Sequence, residues 1–253
     1  YVFRSEAERQ SFLANRVTRS RIVLPRIDLH DLYERHRTLL EPMIDFVLDH
    51  GRVPESDELQ SADEIRQVFG SFARAGRAVV EGIGEEAWMG ARERRADDLL
   101  IYVALGRFSG RPRFGDLPAV LQRDIRALFG SYAAAVATAD ELLFSAGDMQ
   151  LVKRACGLAP VGKQTNDALY FHVDALALMP PVLRIYEGCA RTLVGTITGV
   201  TLVKLRFDKP VVSYLVYPSF DTDPHPPLAG SVVVPLQSLK VAFHDFSDRD
   251  NPP

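Results

Sequence analysis

GLAPVGKQTNDALYFH, Gly157 to His172, is the stretch on which the fold turns. Its opening, G-x-x-x-x-G-K followed by Gln164, is one letter from a phosphate-cradling loop, which needs Ser or Thr there to place a hydroxyl on magnesium. Such a loop is fed by a buried strand and opens onto the N-terminus of a long helix. Here the order is inverted. MQLVKRAC (residues 149–156) is charged and helix-like, DALYFHV (167–173) reads as a strand, and Pro160 removes one of the amides a cradle would use. The stretch therefore reads as a turn into a first strand, with Lys163 in solvent.

Downstream the strand pattern continues. VTLVKLRF, VVSYLVYP, GSVVVPL and LKVAFHDF are short runs rich in β-branched and aromatic residues, bounded by Pro, Gly and Asp. LRFDKPVVSYL looks like two strands joined through Asp208, Lys209 and Pro210, and PVLRIYEGCARTLVG is a helix between the first strand and the rest. These runs predict a small α+β domain over 149–253 with a mostly antiparallel sheet, behind a mainly helical domain over 1–148. In that helical half, Ser5/Glu8 and Ser61/Glu64 stand at capping-box spacing. Residues 28–51 keep a helical period with Pro42 as a kink or restart, and 85–108 and 117–145 are long helical segments.

IRQVFGSFARA from Ile65 and IRALFGSYAAA from Ile125 match at a spacing of 60 residues. A duplicated helical hairpin would explain the echo, with Gly70 and Gly130 allowing close helix approach and Phe69, Phe72, Phe129 and Tyr132 packed around the contact. Chance likeness of two amphipathic helices is the alternative.

The chain has 253 residues, 47% apolar and 25% charged, enough for a real core. Its longest apolar run, LLIYVAL from Leu99, is far below the roughly twenty residues of a membrane span, so no membrane and a cytoplasmic location are expected. Two cysteines, Cys156 and Cys189, form no C-x-x-C pair and fit a reducing compartment as inert residues. The net charge of −3 does not mark a nucleic-acid binder, and the halves differ little. Residues 1–148 carry 20 Arg, no Lys and 24 acids; residues 149–253 carry 10 basic and 9 acidic residues.

VGKQTNDALYFHVDALALMPPVLRIYEGCAR, VKLRFDKPVVSYLVYPSFDTDPHPPL and FSDRDNPP resemble the C-terminal region of the bacterial DNA phosphorothioation-associated methyltransferases. YVFRSEAERQSFLANR looks like the point where the methyltransferase domain of those proteins ends in its last strand, here residues 1–4, and the helical region begins. The resemblance spans essentially the whole chain, and departs from the family where Asn166 stands in place of an expected Pro. It implies that the S-adenosylmethionine site lies upstream of Tyr1. With no G-x-G-x-x-G after a strand, the chain itself is expected to hold no cofactor and no catalytic residue. Its expected partners are DNA or other proteins of a DNA-modification system.

Two sets of residues are candidates for contact with a ligand. GRFSGRPRFG interleaves Arg107, Arg111 and Arg113 with Phe108 and Phe114, and residues 9–27 hold Arg9, Arg16, Arg19, Arg21 and Arg26 without an acid. Guanidinium forks suit phosphates and a nearby ring can stack on a base, the alternative being solvated loops with arginine stems on apolar surface. With the resemblance, Arg107, Arg111, Arg113, Lys163 and Lys204 form the nucleic-acid-binding set. FDTDPHP sets Asp221, Asp223 and His225 at alternate positions, where an extended chain could gather oxygen ligands and an imidazole. Prolines 224, 226 and 227 favour a rigid loop whose aspartates cap turns, and no metal is assigned. His172, beside Tyr170, reads as a hydrogen-bonded core residue rather than a base. Two functions stay open: a non-catalytic region that positions DNA or a partner, and a helical protein-interaction module.

Overall fold

The computed structural model describes residues 2–14 and 28–247. The chain is α+β, with a helical N-terminal part followed by a six-stranded antiparallel sheet. The helices α1 (Glu6–Ala14), α2 (Leu29–Arg35), α3 (Arg37–His50), α4 (Ala62–Phe69) and α5 (Phe72–Ile83) lead into α6 (Glu85–Leu105). After these come α7 (Ala119–Phe129), α8 (Tyr132–Ser145), α9 (Met149–Gly157) and α10 (Pro181–Val194). The break in the first long segment falls at His36, and α3 runs through Pro42 without interruption.

The 60-residue echo is a repeated corner. α4 and α7 each end on a glycine in left-handed geometry, Gly70 at φ 77° and Gly130 at φ 74°. In each case the next residue is an extended serine, Ser71 or Ser131, whose hydroxyl accepts from the amide three residues on and starts α5 or α8. The α7–α8 corner turns the chain by 78° and divides the expected 117–145 helix. Close helix approach is not what the glycines provide, because a Cβ at either would meet nothing within 4 Å. The conformation itself requires them. Of the four aromatics, Phe69 is fully buried, while Phe72, Phe129 and Tyr132 pack on the edges of clusters.

Of the two expected capping boxes, the Ser5 hydroxyl accepts from the Glu8 amide, but the Glu8 carboxylate takes the amide of Arg4 rather than of Ser5. Ser61 makes no cap at all, its hydroxyl being buried without a partner. A complete box forms instead at Glu55 and Glu58.

The strands β1 (Lys163–Gln164), β2 (Ala168–His172), β3 (Leu202–Arg206), β4 (Val211–Val216), β5 (Gly230–Pro235) and β6 (Ala242–Asp245) pair in sequence order. Alternation sorts their residues. Leu169, Phe171, Val203, Leu205, Val212, Tyr214, Val232 and Val234 are buried against the helices. A six-stranded sheet is about 24 Å wide and a helix about 10 Å, so α10 cannot cover it alone. The same cluster accordingly takes in Ile101, Val103 and Ala104 of α6 and Ala139 of α8, all from before residue 149. Composition changes at 149, but the packing does not divide there. With 21 residues and a length of about 31 Å, α6 is the spine: it also places Leu99 in the α7–α8 cluster and packs on α3.

A buried ionic hub fixes α3, α6 and α7. Asp124, with no exposed surface, accepts from Arg52 Nε (2.6 Å), Arg95 Nη2 (2.5 Å) and His50 Nδ1 (3.0 Å). Arg52 turns its other nitrogens to both carboxylate oxygens of Glu58, at 2.7 Å each. The arginine beside it holds the Glu58 carboxyl well below its ordinary 4.5, at about 2. Burial pushes the thiols of Cys156 and Cys189 up to about 11, so neither is an activated nucleophile.

Candidate nucleic-acid interface

The opening stretch resolves as a turn. α9 ends at Gly157, and the chain passes through Gly162 at φ 116° into β1 with Lys163 exposed. A Cβ on Gly162 would sit 2.7 Å from the Tyr170 carbonyl, so this glycine lets β1 lie against β2. The lysine beside it is then carried onto the sheet. Lys163 stands opposite Tyr170, Tyr170 opposite Lys204, Lys204 opposite Ser213 and Ser213 opposite Val233. Residues directly opposite share a face, and this row points away from the helices.

The Lys204 ammonium lies 4.9 Å from the centre of the Tyr170 ring, a cation–π contact. Three further rings stand beside it. Tyr217 follows β4, with its hydroxyl pKa raised chiefly by burial, further by Tyr170, and opposed by the Lys204 charge. Phe220 lies 6.3 Å from Tyr217 and 5.9 Å from the His172 ring. Two depressions of about 520 Å³ each lie in this face. One is lined by Lys163, Tyr170, His172, Leu202 and Phe220, the other by Lys204, Arg206, Lys209, Ser213 and Val233. Arg206 is committed to Asp208 (2.6 Å) and Asp167 (2.9 Å). Among the described residues Lys163, Lys204 and Lys209 form no salt bridge, although Lys209 lies close enough to Asp208 to help hold its carboxyl low. The arrangement offers cations for phosphates and ring faces for bases, about two strand spacings or 10 Å from Lys163 to Lys204.

The expected arginine patch is otherwise disposed. Arg111 Nη2 donates to Asp140 (2.6 Å) and its Nε to the Val103 carbonyl (2.8 Å), and Arg107 shares Asp140 at 3.1 Å. Arg111 is thus a strut fastening the 106–113 loop to α6 and α8, which corrects its reading as a phosphate ligand. Arg113 is exposed. In the second arginine run, residues 15–27 lie outside the described residues.

His172 is a correction too. It is 39% exposed at the end of β2, and its Nδ1 accepts from the Asp174 amide (3.3 Å), so it caps a turn rather than filling the core. Asp221, Asp223 and His225 do not converge in an extended chain. They lie in an exposed loop, where Asp223 accepts from the His225 amide (2.8 Å) as a turn cap. No group of three or more His, Cys, Asp or Glu among the described residues is placed to hold a metal.

Sequence reading missed Tyr170, Tyr217, Phe220 and Lys209. The signal was present in part: Lys204 and Arg206 alternate with Val203 and Leu205, the mark of a charged outward face. No single helix among the described residues is long and apolar enough to cross a membrane. No family model, curated protein or solved structure matches this chain.

Proposed function

We propose that this chain is a non-catalytic DNA-positioning region of a DNA-modification protein, and that it holds single-stranded DNA on the outer face of its sheet. The reading is carried by one observation: Lys163 and Lys204 flank Tyr170 in register, with Tyr217 and Phe220 beside them. Aromatic rings can stack on any base, and lysines that form no salt bridge can neutralise phosphates. The resemblance to the phosphorothioation-associated methyltransferases supplies the biological setting, with methyl transfer assigned to a preceding domain. The residues here do not fit an S-adenosylmethionine site of the glycine-loop kind. The sheet is antiparallel, and the G-x-x-x-x-G-K turn leads from a helix into a strand.

Anisotropy of a labelled 12-nucleotide oligo-dT tests the proposal. The expected affinity is about micromolar at low salt, with each lysine-to-alanine change at Lys163, Lys204 or Lys209 lowering the salt slope by about 0.7. Tyr170→Ala should cost about 1–3 kcal/mol of binding. Duplex of the same length should bind more weakly. Unchanged binding in the triple lysine variant would overturn the assignment of the face, and absence of binding at low salt would overturn DNA as partner.

A second reading, a protein-interaction module, is favoured by β6. Among the described residues it pairs only with β5, leaving an open edge, and its Phe243 is 70% exposed.

A further inference from the structure

A second site lies on the other side of the sheet, where α10 crosses α6. A cavity of about 510 Å³ opens there, with Ile101 and Leu105 of α6, Leu176 of the turn Val173–Leu178, and Arg184, Glu187 and Arg191 of α10 among its lining. The Glu187 side chain is only 2% exposed. Three donors reach it, Arg191 Nε (2.9 Å), Arg191 Nη2 (2.7 Å) and the Tyr214 hydroxyl (2.9 Å), and all three fall on Oε1. Oε2 accepts no hydrogen bond from the described residues. It is not a sealed, partnerless atom, so its remaining accessible surface lies toward the cavity, the side from which a donor can come.

The charges around the cavity decide which kind of donor. Both arginines of the lining are already engaged, Arg191 with Glu187 and Arg184 with Asp98 at 2.7 Å, so neither offers a free charge to an anion. Asp97 stands one turn before Ile101 on the α6 stripe that continues to Leu105, and no ion pair among the described residues engages it. Its pKa is raised by burial and by the nearby carboxylates of Glu93 and Asp98, against the pull of Arg184. Asp174 adds a further acid at the rim. With Asp97 and Asp98 of α6 beside the lining, acids outnumber the two arginines around the cavity, and Ile101, Leu105 and Leu176 make part of its wall apolar.

We propose that this cavity binds an organic cation, a guanidinium or ammonium on a slim apolar stem, whose N–H donates to Glu187 Oε2 while the stem lies along Ile101, Leu105 and Leu176. This chemistry is met in a free small amine or in a basic side chain of a partner protein, and the two can be told apart.

The test is calorimetric titration of the purified chain with agmatine, with a Gly-Arg-Gly peptide capped at both termini and with sodium phosphate. One saturable site for a guanidinium compound is expected at about millimolar affinity or better. Glu187→Gln should weaken it by about tenfold or more. Because Glu187 also holds Arg191 and Tyr214, a second variant, Ala177→Trp, blocks the mouth from an exposed lining position and should abolish binding with the circular dichroism spectrum unchanged. Tighter binding of agmatine identifies a free amine as occupant, and tighter binding of the peptide a protein side chain. No saturation by either compound at about ten times that concentration, saturable binding of phosphate instead, or Ala177→Trp binding like the unaltered chain would each overturn the proposal.

Discussion

Lowering the pH through the acid range should dismantle the hub between α3, α6 and α7, and Glu58 is the group through which the loss can be read. Its two oxygens take Arg52 at 2.7 Å each, its Oε2 also takes the Glu55 amide at 2.8 Å, and Arg123 lies at 3.2 Å. With its side chain 6% exposed, solvent screens these contacts little. The folded carboxyl titrates at about 2 against 4.5 for the free group, so the folded state binds the proton less tightly than the unfolded one. The sign follows: this contribution is complete above the unfolded value and is lost as pH falls toward the folded one. At about 1.4 kcal/mol per pH unit, the gap between those values is worth about 3 kcal/mol. Urea unfolding followed by circular dichroism, at several pH values from neutral to about 2, should show the unaltered chain losing about 3 kcal/mol more than Glu58→Gln, which has no proton to gain there. Other lowered carboxylates, Asp140 and Asp208 among them, are common to both proteins and cancel in the difference. Parallel pH profiles for the two proteins would refute the reasoning. They would mean that Arg52 is satisfied by Asp124 alone.

Gly70→Ala and Gly130→Ala should each cost about 1 kcal/mol, set by positive φ alone since both sites have room for a methyl. Equal losses of that size in thermal unfolding support the repeated corner, and a much larger loss at either would restore close helix packing. Arg111→Ala should destabilise the chain by about 1–3 kcal/mol through the lost Asp140 and Val103 bonds, while the exposed Arg113→Ala stays within about 0.5 kcal/mol. Equal melting temperatures for these two variants would return Arg111 to the surface. Neither should alter the salt slope of DNA binding by as much as Lys204→Ala does.

Much of the fold was legible because its signals are local. Each run rich in β-branched residues became a strand, PVLRIYEGCARTLVG became α10, and Asp208, Lys209 and Pro210 formed the turn between β3 and β4. The echo at Ile65 and Ile125 was visible as letters, but its meaning lies in two backbone angles: Gly-Ser ends one helix and begins the next. What the sequence hid were pairings across distance. Asp124 meets Arg52 across 72 residues and Arg123 meets Asp57 across 66, so nothing in either neighbourhood announces the hub. By spacing alone Glu187 and Arg191 are an ordinary i, i+4 pair. The arrival of Tyr214 from β4, 27 residues away, crowds every donor onto one oxygen and leaves the other to the cavity.

The candidate interface was misweighted for a related reason. Arginine outnumbers lysine 25 to 5, and the loops where it gathers without acids stand out in the sequence as candidate phosphate contacts. A guanidinium is a planar fork suited to two carboxylate bonds at once and is weakly hydrated, so a fold with many acids draws it into its own struts. Arg52, Arg95, Arg111, Arg123, Arg184, Arg191 and Arg206 are all spent in this way. An ammonium is a compact, strongly hydrated charge that gains less from such pairing and stays at the surface. The chain's lysines all follow residue 149, and three of them line the two depressions in the outer face of the sheet. On the proposed function, the scarce cation rather than the abundant one would meet the phosphates. The net charge of −3 averages over the chain, whereas binding would depend on the local charge of this face, where Lys163 and Lys204 form no salt bridge among the described residues.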